Sequence, residues 1–324
     1  MRIFYSDIFV LPLPDDHRFP MRKYGLLRER VAVHALVPPV DLLVPPPASR
    51  ADIERVHDSE YVQRVFAGEL TAREQRVIGF PWSPVLVERS RQSVGATIAA
   101  CRSALADGGS VNLAGGTHHA YPDHGQGFCV FNDVAIAARA MQAEGLARRI
   151  VVIDCDVHQG NGTAAIFADD PSVFTYSIHG ANNFPFRKEA SDLDVALPDG
   201  ADDSVYLKAL FDSVHSLALR EYDLAIYLAG ADPYVNDTLG RLALSKIGLA
   251  MRDQFILDVC KHADLPVAVV MAGGYARQVD DIVDIHLGTV RAAVTAFPRS
   301  PMTWPPAHLA WSMFGDRRTD TPAE

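Results

Sequence analysis

From residue 84 onwards the sequence alternates between short apolar runs and longer amphipathic stretches, and this alternation strongly restricts the fold. Runs such as RIVVID at residues 149–154 and PVAVVM at residues 266–271 are rich in β-branched residues. Such runs are typical of strands that are buried on both faces of a parallel sheet. Because helical patterns separate them, we predict an α/β fold in which a single-domain parallel sheet is sandwiched by helices in three layers.

The predicted elements follow from this pattern. The strands are expected at residues 110–113, 149–154, 173–178, 224–228 and 266–271. The helices are expected at residues 84–106, 132–144, 162–168, 204–220, 245–262 and 279–296.

A proline cluster at residues 38–47 interrupts regular structure near the N-terminus. Residues 41–44 within it are apolar enough for a strand, so we interpret the cluster as a connection inside one domain. Ser49, followed by Asp52, is typical of the N-cap of a helix, which we expect to run towards Phe66. We predict one folded domain over residues 1–314 and a flexible tail over residues 315–324, whose composition is polar.

Composition excludes several classes of protein. The formal net charge of −10 argues against binding to nucleic-acid backbone and is compatible with a cationic ligand. The four cysteines form no CxxC pair, so neither a disulfide framework nor a cysteine zinc site is predicted. The N-terminus lacks a secretory signal, and no stretch reaches the roughly 18 apolar residues of a membrane span. We therefore expect a cytoplasmic protein without a membrane partner; the oligomeric state cannot be inferred.

Glycines and chemically reactive side chains follow each of the five predicted strands. The segments are AGGTHHAYPDHGQGF, DCDVHQGNG, SIHG, AGADP and AGGY. In open α/β sheets, ligands bind beyond the carboxyl ends of the strands. The five segments therefore predict one shared site at that edge of the sheet.

The second of these segments contains candidate metal ligands. Asp156 and His158 are two residues apart, so in an extended chain both side chains point the same way and can share one ion. Asp232, after a neighbouring strand, is a candidate third ligand. Two carboxylates and one imidazole suit zinc and leave a coordination position open. An Asp-x-Asp sequence at a strand end also occurs as a simple helix cap, which remains the alternative.

His118 and His119 follow a Gly-Gly turn, and Tyr275 follows another. Imidazoles beside a metal can act as general acids and bases, and a phenol can donate to a developing oxyanion. Taken alone, a His-His pair is more often found on a surface or in packing, and a tyrosine after Gly-Gly is more often a packed turn residue. We assign no chemistry to the other histidines considered: His17, His34, His215, His262 and His286.

Taken together, the segments resemble the histone deacetylase superfamily, whose fold is shared with arginase. The resemblance extends from about Val56 to about Ile285. It rests on GGTHHAYPDHGQGFCVFND, VIDCDVHQGNGT, TYSIHG, LAGADPYVNDTLGRLALS and MAGGY, in this order. The HQGNG and GRLALS runs are most similar to class IV deacetylases and their bacterial relatives.

The resemblance implies a zinc-dependent amidohydrolase with a specific ligand set. Asp156, His158 and Asp232 would bind the zinc ion. His119 would accept a proton from the attacking water and later pass it to the leaving amine. His118 would orient the water and supply electrostatic stabilisation.

Further roles come from the same resemblance. Tyr275 would donate to the carbonyl oxygen as it becomes an oxyanion. Phe128 and Phe184 would flank a narrow tunnel for the aliphatic stem of the substrate, and Gly127 would offer its carbonyl to that stem. Asp154 would hold the ring nitrogen of His118. A structural potassium ion would be bound by Asp154, by Ser177 and by backbone carbonyls nearby.

Asn161 departs from the pattern of several deacetylase classes, which have an aspartate beside the second histidine. An amide carries no negative charge, so His119 should be less basic than it would be beside a carboxylate. Class II and class IV members also have asparagine there, so we do not interpret it as a loss of activity.

The expected substrate is an acyl-lysine side chain in a protein or peptide, and an acetylated polyamine is the alternative. The acyl chain length and the physiological target are not predicted. An arginase-like ureohydrolase is a rival enzyme, but it would need a two-manganese site and has no use for the His pair with Tyr275. A non-catalytic acyl-lysine-binding protein is the rival from another class.

Overall fold

The alternation of strands and helices is present in the structure, a computed structural model that describes residues 1–8, 10–14 and 17–298. The strands are β1 (Arg2–Phe4), β2 (Leu42–Leu43), β3 (Gly109–Asn112), β4 (Ile150–Asp154), β5 (Val173–Gly180), β6 (Leu193–Leu197), β7 (Leu224–Leu228) and β8 (Val267–Val270). The helices are α1 (Lys23–Val33), α2 (Arg50–Ile53), α3 (Ser59–Ala67), α4 (Ala72–Ile78), α5 (Pro84–Asp107), α6 (Asp133–Ala143), α7 (Asn161–Phe167), α8 (Asp203–Val214), α9 (Lys246–His262) and α10 (Val279–Ala296).

The eight strands form one sheet in the order β2-β1-β3-β8-β7-β4-β5-β6, and every pair of neighbours is parallel. All residues of β3, β4, β7 and β8 are buried. Burial on both faces explains why β4, β7 and β8 are mainly apolar runs in the sequence. The five predicted strands occupy five adjacent positions, β3-β8-β7-β4-β5. Their carboxyl ends, and the segments that follow them, therefore meet at one edge.

Two hydrophobic cores cover the two faces of the sheet. Alternate residues of β4 face opposite sides: Val151 and Ile153 pack in the core with α8, α9, α10 and α1. Ile150 and Val152 pack in the other core with α3, α5 and α6. The predicted three-layer α/β fold with a parallel sheet is thus confirmed.

Two helix predictions were wrong in extent. The helix expected from Ser49 to Phe66 is two helices, because the capping box of Ser49 with Asp52 starts only the short α2, and the chain turns before α3. The helix predicted at residues 204–220 ends at Val214. Here the Ser213 and Ser216 hydroxyls donate to nearby backbone carbonyls, which competes with further helical bonding.

Several short elements were missing from the prediction: β1, β6, α1 and α4. The strand expected at residues 41–44 is only β2, at the edge of the sheet beside β1. None of the described helices is long and apolar enough to cross a membrane. The predicted tail at residues 315–324 lies outside the described residues, and the extent of the catalytic domain stays a prediction.

Candidate active site

Three side chains from two strand ends come together in the middle of the sheet edge. Asp156 and His158 follow β4, and Asp232 follows its neighbour β7. One potential ligand atom from each residue lies within 4.8 Å of the others, and all three residues are buried. The His158 Nδ1 atom is 2.9 Å from Asp156 Oδ1 and 3.3 Å from Asp232 Oδ2.

Backbone amides orient the two carboxylates. Asp156 Oδ2 accepts from the Gly273 amide at 2.7 Å, and Asp232 Oδ1 accepts from the Val157 amide at 3.0 Å. Asp232 Oδ2 is buried and accepts no hydrogen bond from the described residues. A buried carboxylate oxygen without a donor is costly unless a cation satisfies it. This oxygen, aimed at the same point as His158 Nδ1, fits a metal ligand.

Glycine at position 273 keeps this space open. A Cβ atom there would lie 2.6 Å from Asp156 Oδ2 and would clash with Asp232 Oδ2. A side chain at this position would therefore occupy the space beside both carboxylates.

The pKa shifts of Asp232 and His158 also indicate a site that can hold a cation. Burial, together with the negative charge of Asp156, raises the pKa of Asp232 to about 7. Burial lowers the pKa of His158, but the hydrogen bond to Asp156 and the negative charge of Asp232 outweigh it and raise that pKa to about 10. Asp232 and His158 thus hold protons more tightly than isolated groups do, as expected of a buried site with excess negative charge that a divalent cation can neutralise.

His118 and His119 lie beside this cluster with their rings 4.1 Å apart. His118 donates from Nδ1 to Asp154 Oδ2 at 2.6 Å, and His119 Nδ1 is 2.7 Å from Asn161 Oδ1. Burial lowers the pKa of His118, but the charges of Asp154 and Asp156 outweigh it and raise that pKa to about 9.

Burial and the neighbouring charges of His118 and His158 hold the pKa of His119 well below its usual range. The two adjacent imidazoles therefore differ in basicity. His118 favours the protonated form, and His119 favours the neutral form. A pair of groups whose environments push their pKa values apart is suited to separate acid and base roles.

Tyr275 lies across the cluster, with its ring centroid 6.3 Å from that of His158. Its backbone amide donates to Asp237 Oδ2 at 2.6 Å, and its carbonyl accepts from Thr238 Oγ1 at 2.7 Å. Burial and the charges of Asp232 and Asp156 raise the pKa of the phenol well above its usual range. The hydroxyl therefore keeps its proton and can act as a donor.

Sequence reasoning missed two residues that hold the Tyr275 segment. Asp237 binds its backbone as described above. Lys23, on α1, is 2 % exposed, donates from Nζ to Gly274 O at 3.2 Å and places its ammonium 5.2 Å from the Tyr275 ring. An ammonium over an aromatic face is attractive, which compensates in part for its burial. Neither residue has a spacing that relates it to Tyr275 in the sequence.

The predicted tunnel residues lie on the outer side of the site. Phe184 packs edge-on against His119 with ring centroids 4.9 Å apart, and Phe128 lies 5.8 Å from Tyr275. Gly127 has φ +56°, and a Cβ atom there would lie 2.7 Å from His119 Cδ2. Its carbonyl already accepts a weak bond from Cys129 Sγ at 3.4 Å.

Two cavities meet at these residues. An inner cavity of about 40 Å³ touches the His pair, Asp156, His158, Phe128 and Tyr275. An outer cavity of about 650 Å³ is lined by Phe128, Phe184 and Tyr275 and opens towards solvent.

Ser177, a predicted potassium ligand, lies beside Asp154 in the sheet. It is the direct neighbour of Asp154 in the register of β4 and β5, and its hydroxyl is 3.0 Å from His179 Nδ1. The potassium ion itself stays a prediction.

Comparisons with known proteins identify the family of this chain. The histone deacetylase domain profile matches residues 17–290. An uncharacterised protein of Picosynechococcus is 46 % identical over 90 % of this chain and 97 % of its own length. A histone deacetylase-like amidohydrolase of Pseudomonas aeruginosa is 30 % identical over 78 % of this chain and 70 % of its own. Histone deacetylase 2 of Arabidopsis thaliana is 29 % identical over 85 % of this chain and 74 % of its own.

The fold is shared with solved structures. A crystal structure of an HDAC homologue complexed with SAHA superimposes with a TM-score of 0.77 at 21 % identity, covering 92 % of this chain and 84 % of that one. This likeness concerns the fold. With a family profile that spans most of its length and with relatives named as deacetylases and amidohydrolases, the chain belongs to the histone deacetylase family of hydrolases.

Proposed function

We propose that this protein is a zinc-dependent deacetylase that hydrolyses the acyl amide of an acyl-lysine side chain. The observation that carries the proposal is the buried Asp156–His158–Asp232 cluster, with its unpaired carboxylate oxygen, directly beside His118, His119 and Tyr275. Two carboxylates and one imidazole are a ligand set that suits a catalytic zinc ion with an open coordination position. Bound there, zinc would polarise the amide carbonyl and lower the pKa of a water molecule.

The histidine pair divides the proton transfers. His119 is the weaker base and is neutral at pH 7, so it can accept the proton of the attacking water and return it to the leaving amine. The amine needs this proton because it is a poor leaving group without one. His118 keeps its proton beside Asp154 and stabilises the negative charge that develops during attack.

Tyr275 supplies the hydrogen bond to the developing oxyanion. Its hydroxyl remains protonated, and the contacts of its backbone with Asp237 and Thr238 hold the segment in place. A donor fixed before the reaction needs no reorganisation when the charge develops, and such a donor contributes about 3–4 kcal/mol in other enzymes.

The cavity volumes support a short acyl group on a long stem. A single water needs about 10–15 Å³ of such a cavity, so the inner 40 Å³ holds a few heavy atoms, as in an acetyl group. A long fatty acyl chain exceeds this volume. The outer cavity gives the aliphatic stem a path between Phe128 and Phe184 to solvent.

Acyl-lysine is favoured over an acetylated polyamine by the lining of the outer cavity. Among the described residues, its charged side chains are Arg18 and Arg241. Arg241 is ion-paired with Asp199 at 3.2 Å, so the repulsion of a cationic polyamine tail comes mainly from Arg18, whereas a peptide backbone tolerates both guanidinium groups. An arginase-like reaction would need two metal ions, and a single cluster of potential ligands is present in the part of the chain that the structure describes.

The test is an activity panel on the zinc-loaded protein. The substrates are acetyl-lysine peptides, peptides with long-chain acyl-lysine, and acetylated polyamines. We expect release of acetate from the peptides, loss of that release after chelation, and a fall in kcat of about a hundredfold or more in Tyr275→Phe. No hydrolysis of any substrate by folded protein with zinc bound would refute the proposal and favour an acyl-lysine-binding protein.

A further inference from the structure

The hydrogen bonds of His119 continue beyond Asn161 to a carboxylate. Asn161 Nδ2 donates to Tyr121 Oη at 3.1 Å, and Tyr121 Oη donates to Glu189 Oε1 at 2.9 Å. Together with the 2.7 Å contact between His119 Nδ1 and Asn161 Oδ1, these bonds form a continuous chain of four side chains. The chain begins beside the candidate metal cluster and ends in the loop between β5 and β6.

The direction of every bond in this chain follows from its last member. A carboxylate only accepts, so the single hydroxyl proton of Tyr121 must point to Glu189. Tyr121 Oη can then only accept from Asn161, which must present its amide nitrogen to Tyr121 and its amide oxygen to His119. An oxygen acceptor at His119 Nδ1 requires a proton on that nitrogen. Neutral imidazole carries one proton, so His119 Nε2 carries none.

We propose that Glu189, acting through Tyr121 and Asn161, fixes the His119 tautomer that leaves Nε2 free to accept a proton. Glu189 and Tyr121 are positioning residues in this proposal, which rests on the proposed deacetylase function of the site. The Glu189 carboxylate acts through two neutral groups, Tyr121 and Asn161, and so sets the hydrogen-bond direction at His119 that a carboxylate at position 161 would set directly.

Neighbouring residues hold the hydrogen-bonded side chains in place. The buried side chain of Gln159 forms two hydrogen bonds with the backbone of Glu189, accepting from its amide at 3.0 Å and donating to its carbonyl at 2.7 Å. Gln159 directly follows the candidate ligand His158, so Glu189 is fastened to the metal-site segment. The Tyr121 ring stacks on His124 with centroids 4.7 Å apart and planes 11° apart.

Tyr121 is also a dependable donor. Burial, together with the hydrogen bond to Glu189, raises the pKa of its phenol to about 12. The hydroxyl therefore keeps its proton across the range in which deacetylation is assayed, and the polarity of the chain does not reverse.

Three substitutions separate this role from simple support of the loop. Tyr121→Phe keeps the ring stacking and removes the hydroxyl. Glu189→Gln keeps the shape but presents either an acceptor or a donor, so it no longer dictates the direction of the bonds. Asn161→Asp places a carboxylate directly on His119 Nδ1 and makes the rest of the chain dispensable. Tyr222→Phe, which removes a hydroxyl next to the amino end of β7, is the matched control.

The kinetic measurement is kcat and KM of the zinc-loaded full-length chain with an acetyl-lysine peptide. We expect kcat to fall about tenfold in Tyr121→Phe and about threefold in Glu189→Gln, with KM nearly unchanged, because the wrong tautomer cannot act as base. In the Asn161→Asp background, Tyr121→Phe should cost less than about twofold. An equal loss in both backgrounds would show a structural role only and overturn the proposal, as would wild-type kcat in Tyr121→Phe or Glu189→Gln.

A second readout does not depend on activity. Nitrogen NMR of histidine-labelled, zinc-loaded protein distinguishes the two imidazole tautomers, and a His119→Asn sample assigns the signal. We expect His119 protonated at Nδ1 in the wild type and mixed in Tyr121→Phe. A wild-type His119 protonated at Nε2 would refute the inference. If the wild type hydrolyses nothing while the tautomer responds as expected, the proposed function fails and the hydrogen-bond chain stands.

Discussion

His57 couples folding stability to pH at a position away from the proposed chemistry. It is 2 % exposed, and its Nε2 atom accepts from the backbone amide of Asn132 at 2.9 Å. Asn132 in turn caps α6 and donates from its side chain to Ala120 O at 3.2 Å, next to the His pair. Burial lowers the pKa of His57 to about 4 from its ordinary 6.5. Protonation would also place a second proton against the Asn132 amide.

The sign of the effect follows from the two pKa values. Folded protein binds this proton less tightly than unfolded protein, so the stability conferred by neutral His57 is fully present above about pH 6.5 and is lost as the pH falls towards 4. One pKa unit corresponds to about 1.4 kcal/mol, so the shift amounts to about 3 kcal/mol of unfolding free energy in total. About 2 kcal/mol of this is lost between pH 7.5 and pH 5.

The assay compares urea unfolding of the wild type and His57→Gln at pH 7.5, 6 and 5, in chelator so that metal binding does not contribute. Glutamine can keep an acceptor near Asn132 and does not titrate. We expect the unfolding free energy of the wild type to fall by about 2 kcal/mol more than that of the variant over this range. Other buried histidines titrate in both proteins and cancel. His262→Gln, at an exposed position, should run parallel to the wild type. Parallel curves for the wild type and His57→Gln would refute the reasoning.

Three further outcomes are expected. Zinc at a hundred times its Kd should raise the free energy of unfolding of the wild type by about 2.7 kcal/mol in thermal or urea denaturation and raise that of Asp232→Asn far less; equal gains would argue against this cluster as the zinc site. Gly273→Ala should weaken zinc binding in a chelator competition by at least about tenfold, because the methyl group crowds both carboxylates, and unchanged affinity would contradict the fit. The four buried cysteines are Cys101, Cys129, Cys155 and Cys260. A water-soluble disulfide reagent should label none of their thiols within minutes in native protein and all of them in urea, and rapid labelling of native protein would show that at least one thiol is accessible.

The sequence was informative where local pattern and tertiary position coincide. The runs that became β4, β7 and β8 are apolar, apart from Asp154 at the end of β4, because both faces of those strands are buried, so burial could be inferred from composition alone. Asp156 and His158 are two residues apart, and the structure brings both to Asp232. The order of the motifs predicted the family, which the comparisons confirm.

Other features had no local signal. α1 buries residues at positions 23, 27 and 31, which is helical spacing, but the first of them is a lysine and so the apolar pattern is hidden. Lys23 is tolerated there because Phe19, Tyr24 and Tyr275 surround its ammonium and carbonyls accept from it. None of these partners could be inferred from neighbouring positions.

The sequence by itself determined the parallel α/β architecture, the edge at which the site lies and the residue types gathered there, because these depend on periodicity and on the shared direction of the strands. Only the tertiary structure decided what each histidine touches. Asn161 by its identity suggests a weaker partner for His119. Its contact with Tyr121, and through it with Glu189, depends on how a distant loop folds back onto the metal-site segment. The direction of each hydrogen bond depends on which side chains are in contact, so it can be inferred only after the packing is known.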